Sequence, residues 1–204
     1  MALNLDYPDG ATPLDAEELE GLIPAHIATR GELNVWESRN VLKAEQWLRG
    51  ARRRDMLSLA FVSRLHQRMF DETWKWAGAF RATEKNIGVD PAHIAPQTVN
   101  LCEDLKAQLA HNTLPLDQMA AMFHHRLVSI HPFANGNGRH ARLMTDILLT
   151  QNGAARFSWG EDASLTENLA DSEVRQRYIA ALRAADTRDY APLFAFVRSG
   201  TVAT

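Results

Sequence analysis

The residue types that could do chemistry are concentrated in one run, His131-Pro132-Phe133-Ala134-Asn135-Gly136-Asn137-Gly138-Arg139-His140-Ala141-Arg142-Leu143. A histidine precedes a turn with two glycines, and two arginines follow. An imidazole titrates near neutral pH and can serve as a general base. Gly136 and Gly138 let a ligand approach the main chain closely. A helix opening at that turn leaves the N–H groups of its first turn unpaired, and with the helix dipole they favour an anion. Arg139 and Arg142, one turn apart, share a helix face and can clamp more distal phosphate oxygens. Base, anion cradle and cationic clamp together read as phosphate-ester chemistry. The run is not a P-loop, because no Gly-Lys-Ser/Thr follows. It is not a dinucleotide fingerprint either, because the third glycine is missing and no strand precedes it.

The flanking sequence must hold that turn. Met119, Phe123, Leu127 and Ile130 recur at helical spacing and predict a helix from Leu116 to Ile130, which Pro132 stops. A second helix is predicted from Asn137 to Asn152, ending at Gly153. Upstream, Thr12-Pro13-Leu14-Asp15 reads as an N-cap and first turn. Leu33, Trp36, Val41, Ala44 and Leu48 share a face of a helix closed by Gly50, and Leu57, Phe61, Leu65 and Met69 give another after Asp55. A further helix runs from Pro96 to about His111. Ser164-Leu165-Thr166-Glu167 is a capping box ahead of Val174, Tyr178 and Leu182, and Leu193 to Val197 form a last apolar run. Only Ala82 to Asp90 has hairpin character, with Asn86 and Gly88 as turn residues and Pro91 as its stop. The expected fold is all-α, a helical bundle with one small β-hairpin. It forms one domain over 1–204, with residues 1–11 an irregular tail.

Composition narrows the partners. The 204 residues carry a net charge of −3, and no basic block marks a nucleic-acid surface. The single cysteine, Cys102, excludes an intrachain disulfide and reads as a small buried apolar group. The start MALNLDYPDG has no basic region followed by an apolar run, and no stretch reaches membrane-spanning length. A cytoplasmic protein without a membrane partner is expected. His124 and His125 are adjacent and point different ways on a helix, so they read as structural rather than metal-binding. Trp36, Trp47, Trp74 and Trp76 read as core anchors.

His131, Pro132, Phe133, Gly136, Asn137, Gly138, Arg139 and Arg142 match His-Pro-Phe-x-Asp/Glu-Gly-Asn-Gly-Arg-x-x-Arg, the core motif of the Fic (filamentation induced by cAMP) family, which this chain resembles. The Trp76-x-Gly78-x-Phe80-Arg81 run and the all-α setting also look like Fic domains, in particular the bacterial mobile mystery protein B group. The resemblance implies transfer of AMP from ATP to a hydroxyl side chain of a target protein. On that reading His131 is the general base, the amides of Gly136, Asn137 and Gly138 hold phosphate oxygens, and Arg139 and Arg142 neutralise the β and γ phosphates. Asn135 stands where the family has an acid that binds Mg2+. Its carbonyl oxygen remains but the charge is gone, so metal affinity should fall. Slowed catalysis, altered metal use or a nucleotide- or partner-binding protein without turnover are the alternatives. Donors other than ATP, such as UTP or GTP, fit the same motif.

Many Fic proteins carry an inhibitory glutamate that pairs with the second motif arginine. Ala28-Thr29-Arg30-Gly31-Glu32-Leu33 is a partial match, which makes Glu32 the expected brake on Arg142, at the start of a helix over about 28–48. The segment Thr83, Glu84, Lys85, Asn86, Ile87 and Gly88 resembles the Fic flap, which aligns a target by strand addition. The group's association with mobile elements implies a toxin-like module, with an antitoxin or a second copy of the chain as a further partner.

Overall fold

The computed structural model describes residues 12–49, 55–160 and 173–200. Within them lie α1 (Ala16–Leu19), α2 (Arg30–Arg49), α3 (Leu59–Phe70), α4 (Pro91–His111), α5 (Leu116–Ile130), α6 (Asn137–Gln151), α7 (Glu173–Asp186) and α8 (Ala191–Val197). The antiparallel pair α5–α6 is central. Met119, Phe123, Leu127 and Ile130 of α5 meet Leu143, Met144, Ile147 and Leu148 of α6 in one buried cluster. Helix α4 packs on α5, α2 on α3, α3 on α4 and α6, and α8 on both α5 and α7. Helices α2 to α8 each bury apolar residues, and burial of this kind stabilises by about 25 cal/mol per Å².

Several expected boundaries shift for local reasons. Thr12 does not cap the first helix. Asp15 does, its N–H donating to Glu18 Oε2 at 2.8 Å, which leaves the Thr12 side chain for another partner. Helix α4 starts at Pro91 rather than Pro96, because Asp90 accepts from Ala92 N–H at 2.8 Å and Pro91 occupies the first turn, where a missing N–H is no loss. Pro96 is accommodated inside the helix. The tail over 1–11, Gly50 and the capping box at 164–167 lie outside the described residues.

The expected hairpin is absent. Among the described residues the only β pairing is an isolated bridge between Leu22 and Trp74. Instead of facing each other across a ladder, the Thr83 and Val89 carbonyls both accept from the buried Arg81 guanidinium, Thr83 O at 2.8 Å. Arg81 Nε donates to His131 O at 2.7 Å and Val89 N–H to Ile130 O at 3.3 Å, so the ends of this loop are fastened to the foot of α5. No described helix is long and apolar enough to cross a membrane.

Candidate active site

Helix α5 ends at His131, whose backbone takes the left-handed conformation (φ 53°, ψ 61°) and redirects the chain into the loop 132–136. Helix α6 opens at Gly136, also left-handed (φ 78°), and no side chain caps its first turn. A Cβ on Gly136 would lie 2.5 Å from Phe70 Cζ, so both the φ and the space require glycine. Asn137 points backward, accepting from Phe133 N–H at 2.9 Å and donating to Phe133 O at 2.7 Å, which sets the loop's width. Phe133 is buried and stacks on His66 at 3.7 Å. His66 Nδ1 accepts from Gly78 N–H at 3.0 Å, so its proton sits on Nε2, which donates to the Asn135 carbonyl at 3.0 Å. Phe133 and His66 thus pin the turn from below.

His131 is only 6% exposed. Its Nε2 is 3.0 Å from Thr12 Oγ1, and its Nδ1 is buried without a hydrogen-bond partner. Burial first, and then the Arg81 charge, push its pKa down to about 4. At neutral pH the imidazole is therefore uncharged and able to accept a proton.

Arg139 does not face open solvent. Its Nη2 donates to Glu37 Oε2 at 2.6 Å, and its guanidinium lies over the Phe70 ring at 5.0 Å. Glu37, 1% exposed, also accepts from Trp74 Nε1 at 2.7 Å and Asn135 Nδ2 at 3.2 Å. Arg142 lies over the Tyr178 ring at 5.6 Å. The phenol in turn lies 2.8 Å from His124 Nε2. Burial and the Arg142 charge depress His124 to about 3, which leaves it an acceptor for the tyrosine O–H.

The acid that meets a motif arginine is Glu37, and the arginine it meets is Arg139. Glu32 sits at the exposed start of α2, where it accepts from Ala28 N–H at 2.9 Å and Thr29 N–H at 3.0 Å, and these bonds lower its pKa. The expected Glu32–Arg142 pair is replaced by helix geometry. Glu37 falls on the buried face of α2 with Leu33, Val41 and Ala44, whereas Glu32 does not. That spacing was the available signal, since a carboxylate inside an apolar stripe needs a cation beside it. His66 was not singled out, and Tyr178 and Arg81 were read only as a helix-face residue and as part of the run from Trp76, because the partners of all three carry no local motif.

Asn135 now has a structural reason. Its Nδ2 donates to Glu37, while an aspartate there would set two carboxylates together. Its one side-chain oxygen accepts from Gly136 N–H at 2.8 Å. Among the described residues no group of three or more His, Cys, Asp or Glu could hold a metal. Of the loop residues, Thr83, Glu84, Asn86, Ile87 and Gly88 are exposed. Lys85 is engaged with the chain's own N-terminal segment, 2.8 Å from Asp15 and 2.6 Å from Glu18.

Among the described residues, fold and site together define a helical protein with a histidine at one helix foot and a glycine turn opening the next. Residues 56–149, just under half of the chain, match the Fic/DOC family model. It is 27% identical over 150 residues to protein adenylyltransferase fic-1 of Caenorhabditis elegans, covering 70% of this chain and 27% of that protein. It is 28% identical over 158 residues to protein adenylyltransferase Fic of Culex quinquefasciatus, covering 74% and 29%. The chain thus spans less than a third of the length of these curated relatives. The fold matches the N-terminal FIC domain of Bep8 from Bartonella sp. 1-1C, with TM-score 0.68, 17% identity and coverage of 87% and 88%. It also matches the BepC protein of Bartonella tribocorum, solved with bound AMPPNP, with TM-score 0.67, 18% identity and coverage of 93% and 100%.

Proposed function

We propose that this chain is a Fic-type protein adenylyltransferase that moves AMP from ATP to a hydroxyl side chain. The observation that carries the reading is the placement of a neutral histidine with a hydroxyl on its Nε2, beside an uncapped helix N-terminus followed by two arginines. His131 would take the proton of the incoming hydroxyl. The amides of Asn137 and Gly138 would hold phosphate oxygens, joined by that of Gly136 once it leaves the Asn135 side chain, and Arg139 and Arg142 would neutralise the leaving pyrophosphate. Positioning and charge stabilisation are what such a site contributes. Magnesium would enter with the nucleotide, and no step here depends on Asn135 as its ligand. The loop 83–88 would be the surface along which a target segment lies. The setting inferred from the sequence, a cytoplasmic mobile-element module with an antitoxin or a second copy as partner, is carried within this proposal.

Glu37 supports an autoinhibited resting state, because a triphosphate needs the Arg139 guanidinium that this carboxylate holds. The test uses ATP labelled on either the α or the γ phosphate, with wild-type and His131→Ala protein in a cell lysate. Protein that carries α label but not γ label, and loses it in His131→Ala, is the expected result. ATP binding without α-label transfer, appearing only with Asn135→Asp, would replace the transferase by a nucleotide-binding protein. Absence of both would end the reading.

A further inference from the structure

The hydroxyl on His131 belongs to the chain itself. Thr12 Oγ1 lies 3.0 Å from His131 Nε2, the atom that would deprotonate an acceptor. With Nε2 as acceptor, the threonine O–H donates, and its oxygen lone pairs are left to attack.

The segment that delivers Thr12 is firmly held on the loop proposed to receive a target. Lys85 Nζ, its side chain 3% exposed, reaches Pro13 O at 3.4 Å, Asp15 Oδ2 at 2.8 Å and Glu18 Oε2 at 2.6 Å. Thr83 Oγ1 donates to Glu18 Oε1 at 3.2 Å. Trp76 Nε1 donates to Glu18 O at 2.9 Å, Ile23 N–H to Thr73 O at 2.9 Å and Lys75 N–H to Gly21 O at 2.8 Å. Leu14, next in the segment, is buried in the core cluster. A hydroxyl is thereby presented to the base by a tethered segment, which makes its attack effectively unimolecular.

We propose that Thr12 is an acceptor of the enzyme's own reaction, a self-modification site that takes the nucleoside monophosphate in cis. The proposal rests on the transferase reading given above. In the step, the Thr12 Oγ1–Pα bond forms and the bond from Pα to the bridging oxygen of the β-phosphate breaks. Pyrophosphate leaves with that electron pair, and the hydroxyl proton passes to His131 Nε2. Once modified, Thr12 can no longer donate to the imidazole, and the bulky ester cannot return to the same place. Self-modification would therefore lift the N-terminal segment off the base and clear the loop at 83–88 for another target.

The experiment incubates the purified full chain with α-labelled ATP, in wild type and in a Glu37→Gln background that frees Arg139, and locates the label by peptide mass spectrometry. The expected label sits on Thr12. It is lost in Thr12→Val, retained in Thr12→Ser and absent in His131→Ala, and its rate per molecule does not change with protein concentration. Label on other residues or on lysate proteins, with none on Thr12, overturns this inference while leaving the transferase reading intact. A label that appears only in proportion to protein concentration overturns the cis route. No α label anywhere in either background, with ATP bound, overturns the transferase reading and this inference with it.

Discussion

Replacing Glu37 with glutamine should loosen the fold and tighten nucleotide binding at the same time. Glutamine keeps an oxygen for Trp74 Nε1 and Asn135 Nδ2, which share Oε1 in the native side chain. What it loses is the charge-assisted bond at 2.6 Å to Arg139, where an amide N–H would now face a guanidinium N–H. Such a bond contributes about 1.5–3 kcal/mol. The Arg139 side chain keeps 17% of its exposure, so water partly compensates it, and about 2 kcal/mol is the appropriate figure. For a protein of this size that loss lowers Tm by roughly 4–8 °C. If Arg139 must leave Glu37 before it can meet a triphosphate, the same 2 kcal/mol is removed from the cost of binding, and the apparent Kd for ATP falls by up to about 30-fold. Titration calorimetry with ATP and a thermal melt on one preparation read both quantities. A lowered Tm with an unchanged Kd would show that Glu37 is only a structural partner and that the phosphate site lies elsewhere.

The remaining expectations test separate parts of the site. Gly136→Ala should destabilise strongly, because it adds a Cβ at φ 78° and 2.5 Å from Phe70, whereas a Cβ on Gly138 meets nothing closer than 3.9 Å. Gly138→Ala should therefore keep its Tm yet lose ATP affinity, and equal melting losses in the two variants would refute the cradle. Asn135→Asp sets a second carboxylate against Glu37 and should lower Tm while raising ATP affinity, both read by thermal melts with and without ATP; a stabilised apo protein would count against the Glu37 contact. On acidification, His66, His124, His131 and His140 stay neutral in the fold, since burial depresses His66 well below its ordinary value, His124 to about 3 and both His131 and His140 to about 4. The unfolded chain takes up those protons near pH 6.5, so stability is full above that value and is lost as pH falls toward 4, by about 1.4 kcal/mol per histidine per pH unit. Asp146, raised by burial to about 6, works in the opposite sense and offsets one of the four, so Tm should still drop steeply between pH 6.5 and 5; a flat profile would refute the buried neutral histidines.

The helices were legible where one apolar face decides the structure. Leu116–Ile130 and the start of α6 at Asn137 fall where periodicity, Pro132 and the two glycines put them. The hairpin was not legible, because Asn86 and Gly88 carry turn chemistry irrespective of whether their flanks pair. The decision lay with Arg81, a buried guanidinium that takes the Thr83 and Val89 carbonyls for itself. The position of the acid was half legible: a glutamate in the N-terminal helix does reach the motif, but motif matching pointed to Glu32, while helical phase selects Glu37. Thr12 carried only an N-cap signal, since its contact is with a partner 119 residues away.

The groups that occupy the site come from outside the segment that matches the family model. The Fic/DOC match covers residues 56–149, which contains His131, the glycine turn, both arginines and the loop 83–88. Glu37 on Arg139, Thr12 on His131, and Asp15 and Glu18 on Lys85 all come from residues 12–37. Arg139, His131 and Lys85 of the loop 83–88 are thus each engaged by the same N-terminal stretch. These contacts share a backbone that is anchored by Leu14, Ile27 and Leu33 in the core, so releasing one weakens the hold of the others. A nucleotide competing for Arg139 and a modification at Thr12 would then act on one equilibrium, between a strap seated over the site and a strap displaced from it.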